Sequence, residues 1–428
     1  MIEFEKTVLG NGLTVICHSD PGTPMAAVSI LYAAGSKLDP SGKSGLAHLF
    51  EHLMFSGTPG IPDFDTPIQM AGGENNAYTN NDFAQYYSFA PADNLDILLW
   101  LESDRMQNIK LRQRQIQTQK RVVLEEFYES CLNVPYGDVW HYILPVLYPN
   151  HPYRSPVIGL SVEEIMTLSK DDFINFQNKY YQPANAVLSI SGMISLKNIF
   201  DRVEKWFGAI PSVENSSPAF STPAPDFSQK DWIVKGNVPA VAFFLVFPMP
   251  GRHSEAYYHL DFVSDILAGG RSARLYRSLV KDTQLVTNID AYISGTEDPG
   301  LFIIEGKLND GVRLHSCEQR IWNELEKIKS KKLKKTTMRK LKNNLESEIV
   351  FSEINIVNKS TSLCYFEKLG NAQMINEEIE RYLSIDEDKL SETCLTYLHP
   401  ENCFRFLYVP DGFDVKSDPY ISDFNIIN

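Results

Sequence analysis

The sequence contains no Cys-x-x-Cys pair; its six cysteines, Cys17, Cys131, Cys317, Cys364, Cys394 and Cys403, are scattered along the chain. That scatter disfavours a thiolate zinc cage or a disulfide framework and suits buried, reduced thiols. No segment stays apolar for about 18 residues, so no membrane-spanning helix is expected. The start, Met-Ile-Glu-Phe-Glu-Lys, has neither a basic region leading into an apolar stretch nor an arginine-rich presequence. These absences lead to the expectation of a soluble, cytoplasmic protein, unless a targeting segment has been removed. Basic charge is also scarce: 40 lysines and arginines face 54 acids, for a formal charge of -14. A surface tracking polyphosphate is therefore disfavoured. The one basic run, Lys327 to Lys335, reads as a solvated helix face. No nucleic-acid partner is expected.

What is present is a globular mix, 43% apolar over 428 residues, long enough for two domains. Val213 to Ser228, rich in proline, serine and alanine, lies near the midpoint and reads as a linker. Tyr180-Tyr181-Gln182-Pro183-Ala184-Asn185 precedes an apolar run from Ala186 to Ile190, and Tyr397-Leu398-His399-Pro400-Glu401-Asn402 precedes another from Cys403 to Val409. Each follows a helical pattern, Lys170 to Lys179 and Asp386 to Leu395, so one unit is expected twice. Lys6 to Leu9 and Leu13 to Cys17 flank Asn11-Gly12, a hairpin signature, while Val238 to Phe247 is apolar and rich in strand formers. The expected fold class is α+β: two homologous domains, residues 1–217 and 229–428, each a mostly antiparallel sheet with helices on one face.

Between Ser44, a candidate N-cap, and Gly57, a candidate helix stop, apolar residues at Leu46, Leu49, Phe50, Leu53 and Met54 mark an amphipathic helix. Within it lies His48-Leu49-Phe50-Glu51-His52. Two histidines four apart share one face and can reach one Zn²⁺ ion, and Glu51 sits beside them as a candidate general base. This H-x-x-E-H order is the inverted form of the helical zinc motif. With nine histidines in the chain, its chance occurrence is on the order of once in a hundred such sequences. A third ligand is needed, and the next long helical segment, Leu111 to Ser130, offers Glu125, Glu126 and Glu129. Spacing alone does not choose among them.

His48 to Thr58, HLFEHLMFSGT, resembles the active helix of the insulinase/pitrilysin zinc peptidases, whose smaller members include bacterial two-domain peptidases and the catalytic subunit of mitochondrial processing peptidase. The resemblance implies that the third ligand is Glu126, at the end of the stretch Gln119 to Glu126, with Glu129 as fallback. Gln119 then replaces a carboxylate that orients the site in the family. Gly72 to Thr79, GGENNAYT, is similar to the family strand that pairs with substrate backbone, making Asn76 and Ala77 the expected substrate contacts. His151-Pro152-Tyr153-Arg154 and Gly159 also look like a family loop but carry no assigned chemistry. The second half has no H-x-x-E-H. Family members that work alone have an arginine and, seven residues on, a tyrosine there; the matching positions are Val280 and Thr287.

The resemblance thus implies a zinc-dependent endopeptidase acting on unfolded peptides or small proteins. It also implies a heterodimer in which a homologous subunit supplies the arginine–tyrosine pair; a homodimer is the alternative assembly. The acidic balance adds an expected preference for basic peptides. The rival readings are an assembly subunit with this fold and no turnover, a mitochondrial presequence-processing subunit, and a zinc-binding module without hydrolysis.

Overall fold

The computed structural model describes residues 1–212, 223–330 and 333–427. Residues 213–222 of the expected linker lie outside this range, and 223–228 contain neither helix nor strand. The first sheet is built from β1 (Glu5–Val8), β2 (Thr14–Ser19), β3 (Met25–Tyr32), β4 (Glu74–Thr79), β5 (Ala84–Pro91) and β6 (Ala186–Gly192), in the order β1-β2-β6-β3-β5-β4. The second contains β7 (Asp231–Gly236), β8 (Ala242–Met249), β9 (Val286–Ile293), β10 (Gly300–Leu308), β11 (Phe404–Pro410) and β12 (Asn425–Ile427), in the order β12-β7-β11-β8-β10-β9.

The repeat is visible strand by strand. β2 and β6 pair in parallel, as do β7 and β11, while the strands from β6 to β4 and from β11 to β9 pair antiparallel in both sheets. Only the outer strand differs: β1 is antiparallel to β2, whereas β12 is parallel to β7. The Asn11-Gly12 hairpin forms, with Gly12 at φ 87 and Val8 opposite Thr14. The two Pro-Asn turns, Pro183–Asn185 and Pro400–Asn402, each join a helix, Lys170–Tyr180 or Glu387–Tyr397, to the third strand of its sheet. The apolar run at Val238 divides differently from the sequence reading: β8 starts at Ala242, and β7 precedes it.

Two compact units emerge, and neither is a continuous half of the chain. One comprises Met1–Tyr128, Ser155–Ser221 and Glu348–Glu378; the other comprises Glu129–Arg154, Thr222–Ser347 and Ile379–Asn428. In the first, neighbouring residues of β3 face opposite ways, as alternation requires. Tyr32 stacks on Tyr181 at 4.4 Å, among helices of the N-terminal half. Leu31 packs against Cys364, on a helix contributed by the C-terminal half, Ile356–Lys368. The second sheet is covered reciprocally by the helix Val139–Leu147, whose Val139, Ile143 and Leu147 join Phe244, Val246, Ile303 and Phe406 in one core. Both faces of each central strand are thus dry, and β3 and β8 are almost wholly buried. All six cysteines are buried. Among the described residues, no helix is long and apolar enough to cross a membrane.

Candidate metal centre

The helix α1 (Leu46–Met54) forms because Leu46, Leu49, Phe50, Leu53 and Met54 recur at helical spacing and all are at most 2% exposed. Phe50 locks it to the core, its ring 4.3 Å from that of Tyr181. Ser44 is not the N-cap. Gly45 holds that position without a side-chain bond, and Asp39 caps the helix instead, accepting from the Gly45 and Ala47 amides at 2.8 and 2.9 Å. Burial pushes the Asp39 carboxyl up to about 8, against the pull of these backbone donors. The Ser44 hydroxyl donates to Glu164 at 2.5 Å and accepts from the Leu160 amide at 2.7 Å, fixing the segment before α1. Beyond the helix, Gly57 takes φ 82.

The opposite face of α1 carries His48 and His52, with ring centroids 4.9 Å apart at 89°. The helix α2 (Gln113–Phe127) brings Glu126 to both: its Oε2 lies 3.7 Å from His48 Nε2 and 3.5 Å from His52 Nε2. One ligand atom from each of the three residues falls within a 4.8 Å cluster. Ligand atoms about 2.0–2.2 Å from one tetrahedral ion stand roughly 3.3–3.5 Å apart, so the carboxylate-to-imidazole distances fit a single small cation. Two imidazoles and one carboxylate are a zinc donor set that leaves a coordination position open. Burial drives His48 down to about 4, favouring the neutral imidazole a metal requires. The hydrogen bond with His52, assisted by the two imidazoles' charges, holds Glu126 below the usual carboxylate range against the effect of burial.

Glu51 stands on the same helix, and its Oε2 accepts a 2.5 Å hydrogen bond from Thr79 Oγ1 at the end of β4. Burial raises the Glu51 carboxyl, while the Thr79 bond opposes that rise. β4 is the edge strand of the first sheet, paired only with β5, and Asn76 and Ala77 lie opposite Tyr87 and Tyr86. The Ala77 amide donates to the Asn76 side chain at 2.8 Å. Gln119 donates to Ser56 Oγ at 3.5 Å, just past the end of α1. Glu125 and Glu129 are exposed and outside the metal-type cluster. Thr79 and Asp39 were missed as site-shaping residues. Thr79 closes the GGENNAYT stretch, but only the pairing of β4 beside α1 reveals its partner. In the second unit, Val280 lies in the helical turn Tyr276–Lys281, and Thr287 lies on β9 with its side chain exposed.

Comparison with known proteins bears on the same residues. The profile described as "Insulinase (Peptidase family M16)" matches residues 14–140, and that described as "Peptidase M16 inactive domain" matches residues 167–345. The zinc protease PqqE of Helicobacter pylori is 27% identical over 354 residues, covering 81% of this chain and 80% of that protein. The uncharacterized zinc protease YmxG of Bacillus subtilis is 27% identical over 301 residues, covering 69% of this chain and 71% of that protein. Among solved structures, a protease from Helicobacter pylori superposes with a TM-score of 0.90 at 23% identity, covering 96% of this chain and all of that one. Pitrilysin superposes with a TM-score of 0.78 at 20% identity, over 95% of this chain and 45% of its own. These structural likenesses establish the two sheet-and-helix units as the fold shared with M16 peptidases. With both halves matched to profiles of one family, the chain belongs to the insulinase family, peptidase family M16.

Proposed function

We propose that this M16 chain is a zinc-dependent endopeptidase acting on unfolded peptides or small proteins, with His48, His52 and Glu126 holding the metal. The convergence of those three side chains beside Glu51 carries the reading. Bound zinc would supply a water acidified toward neutrality and a charge that polarises the scissile carbonyl. Glu51 takes a proton from the attacking water and returns it to the departing amine nitrogen; its burial suits a carboxyl that must do both. Thr79 holds the carboxylate in place. The edge of β4 receives the substrate as an added strand at Asn76 and Ala77, reading its main chain and accepting varied side chains.

One metal site per chain is the reading of the second half, which matches the inactive-domain profile; among the described residues the only metal-type cluster is His48, His52 and Glu126. Val280 and Thr287, standing in the arginine and tyrosine positions, support a heterodimer in which a homologous subunit carries that pair. An assembly subunit without turnover is the alternative, favoured by Gln119 replacing an acid. Metal analysis and a peptide-cleavage assay on wild type and Glu51→Gln separate the two. We expect one zinc per chain in both proteins and cleavage reduced by about 10²-fold or more in the variant. A metal-free wild type, or equal cleavage by both, would remove the peptidase reading. Full activity of the isolated chain would remove the heterodimer.

A further inference from the structure

The two helices that carry the metal-type cluster are also joined away from it, through the short helix Val162–Thr167. In its first turn, Glu164 meets the chain entering α1: its Oε2 accepts from the Ser44 amide at 3.0 Å and from the Ser44 hydroxyl at 2.5 Å. Ser44 is only 3% exposed, and its hydroxyl accepts in turn from the Leu160 amide, so this contact is made inside the fold. Gly159, to which the sequence assigns no chemistry, permits the close approach. It sits at φ 115, and a Cβ there would stand 3.0 Å from the Ile165 side chain and 3.3 Å from the Ser44 carbonyl oxygen.

At the other end, carbonyls that the last turn leaves without helical partners receive two ammonium groups. Lys43, next to Ser44, donates to the Thr167 carbonyl at 3.0 Å. Lys120, on α2, donates to the Met166 carbonyl at 2.8 Å and to the Leu168 carbonyl. Lys120 is 3% exposed, and Asp172, the acid whose charge reaches it, pairs with Lys43 at 3.2 Å. A buried ammonium held by carbonyls alone is a demanding element, because only uncharged acceptors offset its desolvation. What it secures is the relation between α2 and the chain that enters α1.

The metal-type cluster depends on that relation. His48 and His52 ride on α1 and Glu126 on α2, so nothing within either helix fixes the distances of 3.7 and 3.5 Å between the carboxylate and the two imidazoles. A second tie, from Gln115 Nε2 to the Ser56 carbonyl at 2.7 Å, joins α2 to the chain leaving α1. One fastening thus lies past the end of α1 and the other before its start. A single fastening would leave one helix free to pivot on the other.

We propose that Lys120 and Glu164 are positioning residues for the metal: acting through the helix Val162–Thr167, they hold α2 against α1 at the spacing in which Glu126 meets both imidazoles. The inference rests on the metal reading of the cluster, and its test reads binding instead of turnover. In the full chain, measure Zn²⁺ affinity by competition with a chelating dye, and the visible absorption of the Co²⁺-loaded protein. The proteins compared are wild type, Lys120→Met, Glu164→Ala, Glu164→Gln and the double variant Lys120→Met/Glu164→Ala. Near-ultraviolet circular dichroism sets a temperature at which each metal-free protein is folded.

Lys120→Met should weaken Zn²⁺ binding about tenfold and alter the Co²⁺ bands, as loss of an orienting partner does. The sign is informative, because removing a positive charge near the site would by itself strengthen the hold on a cation. Glu164→Ala should also weaken binding, while Glu164→Gln, which keeps an oxygen for Ser44, should stay close to wild type. In the double variant the second change should add less than it costs alone, because both act on one connection. Unchanged or tighter Zn²⁺ binding in Lys120→Met, with only the urea midpoint lowered, would overturn the proposal. Losses that add in full in the double variant would do the same, as would equal losses in Glu164→Ala and Glu164→Gln. If Lys120→Met does not fold, Glu164→Ala against Glu164→Gln decides the question. A wild type that binds no Zn²⁺ removes the metal reading and this inference together, whereas a wild type that binds Zn²⁺ no better than its variants removes this inference alone.

Discussion

The helix Ile356–Lys368 lies far along the chain from the metal-type cluster, yet it completes the unit that holds it, so removing it should unfold that unit. Leu363 is fully buried in a core with Ile2, Ile16, Phe366, Leu369 and Ile375. Ile356, Leu363 and Phe366 are each at most 8% exposed. Burying a large apolar side chain stabilises by about 1.5–3 kcal/mol, so these three contribute roughly 5–9 kcal/mol. Polar contacts add to this. The Ser360 hydroxyl donates to the Ser189 carbonyl at 2.9 Å, and the buried Gln85 amide donates to the Thr361 carbonyl at 3.0 Å. Folded domains retain a net stability of only about 5–15 kcal/mol, so a loss of this size is decisive.

A chain ending at residue 212 should therefore lack a cooperative urea transition and near-ultraviolet circular dichroism, and should bind no zinc stoichiometrically. Adding a peptide of residues 348–378 should restore part of each signal. In the full chain, Leu363→Ala should cost about 2–5 kcal/mol, because a buried leucine leaves a cavity that its neighbours fill incompletely. If the truncated chain unfolds as steeply and at the same midpoint as the whole protein, the reasoning about the crossed helix is wrong.

Asp20 is held below the usual carboxylate range chiefly by its hydrogen bond with Lys359, which lies 2.5 Å away on the same crossed helix. A lowered carboxyl stabilises the fold above its unfolded value, and the contribution disappears as pH falls through the lowered one. Asp20→Asn should thus cost about 0.2–1 kcal/mol near neutrality, with the gap in urea midpoints closing below about pH 4. A gap unchanged at about pH 2 would contradict the assignment. Gly57→Ala should destabilise by at least about 1–2 kcal/mol, because φ 82 disfavours a side chain and its Cβ would stand 2.5 Å from the Pro62 carbonyl oxygen. A thermal midpoint equal to wild type would show that the turn after α1 relaxes freely.

The metal-type cluster was half legible because its two parts obey different rules. His48, Glu51 and His52 lie within one helix, where a fixed period converts spacing directly into a shared face. Glu126 belongs to another helix, and spacing does not select it over Glu125 and Glu129, which have the same chemistry at neighbouring positions; the family resemblance points to Glu126, and the packing of α2 against α1 brings it to the two histidines. Thr79 depends on a longer chain of events, because β4 must pair with β5 before its last hydroxyl reaches Glu51. Ser44 misled for a local reason: a serine before an apolar helical run is a good cap, but Asp39 offers a carboxylate to two amides and leaves the serine to Glu164.

The crossed helices were invisible for a deeper reason. Hydrophobic period reports that a helix has an apolar face, but not which sheet that face covers, and Leu363 or Ile143 would read identically on either. Apart from the direction of the outer strand, the two sheets share one strand arrangement, and each has an apolar face covered by a helix from the other half of the chain. Repeat symmetry thus made the fold class easy to recognise and the unit boundaries hard to draw.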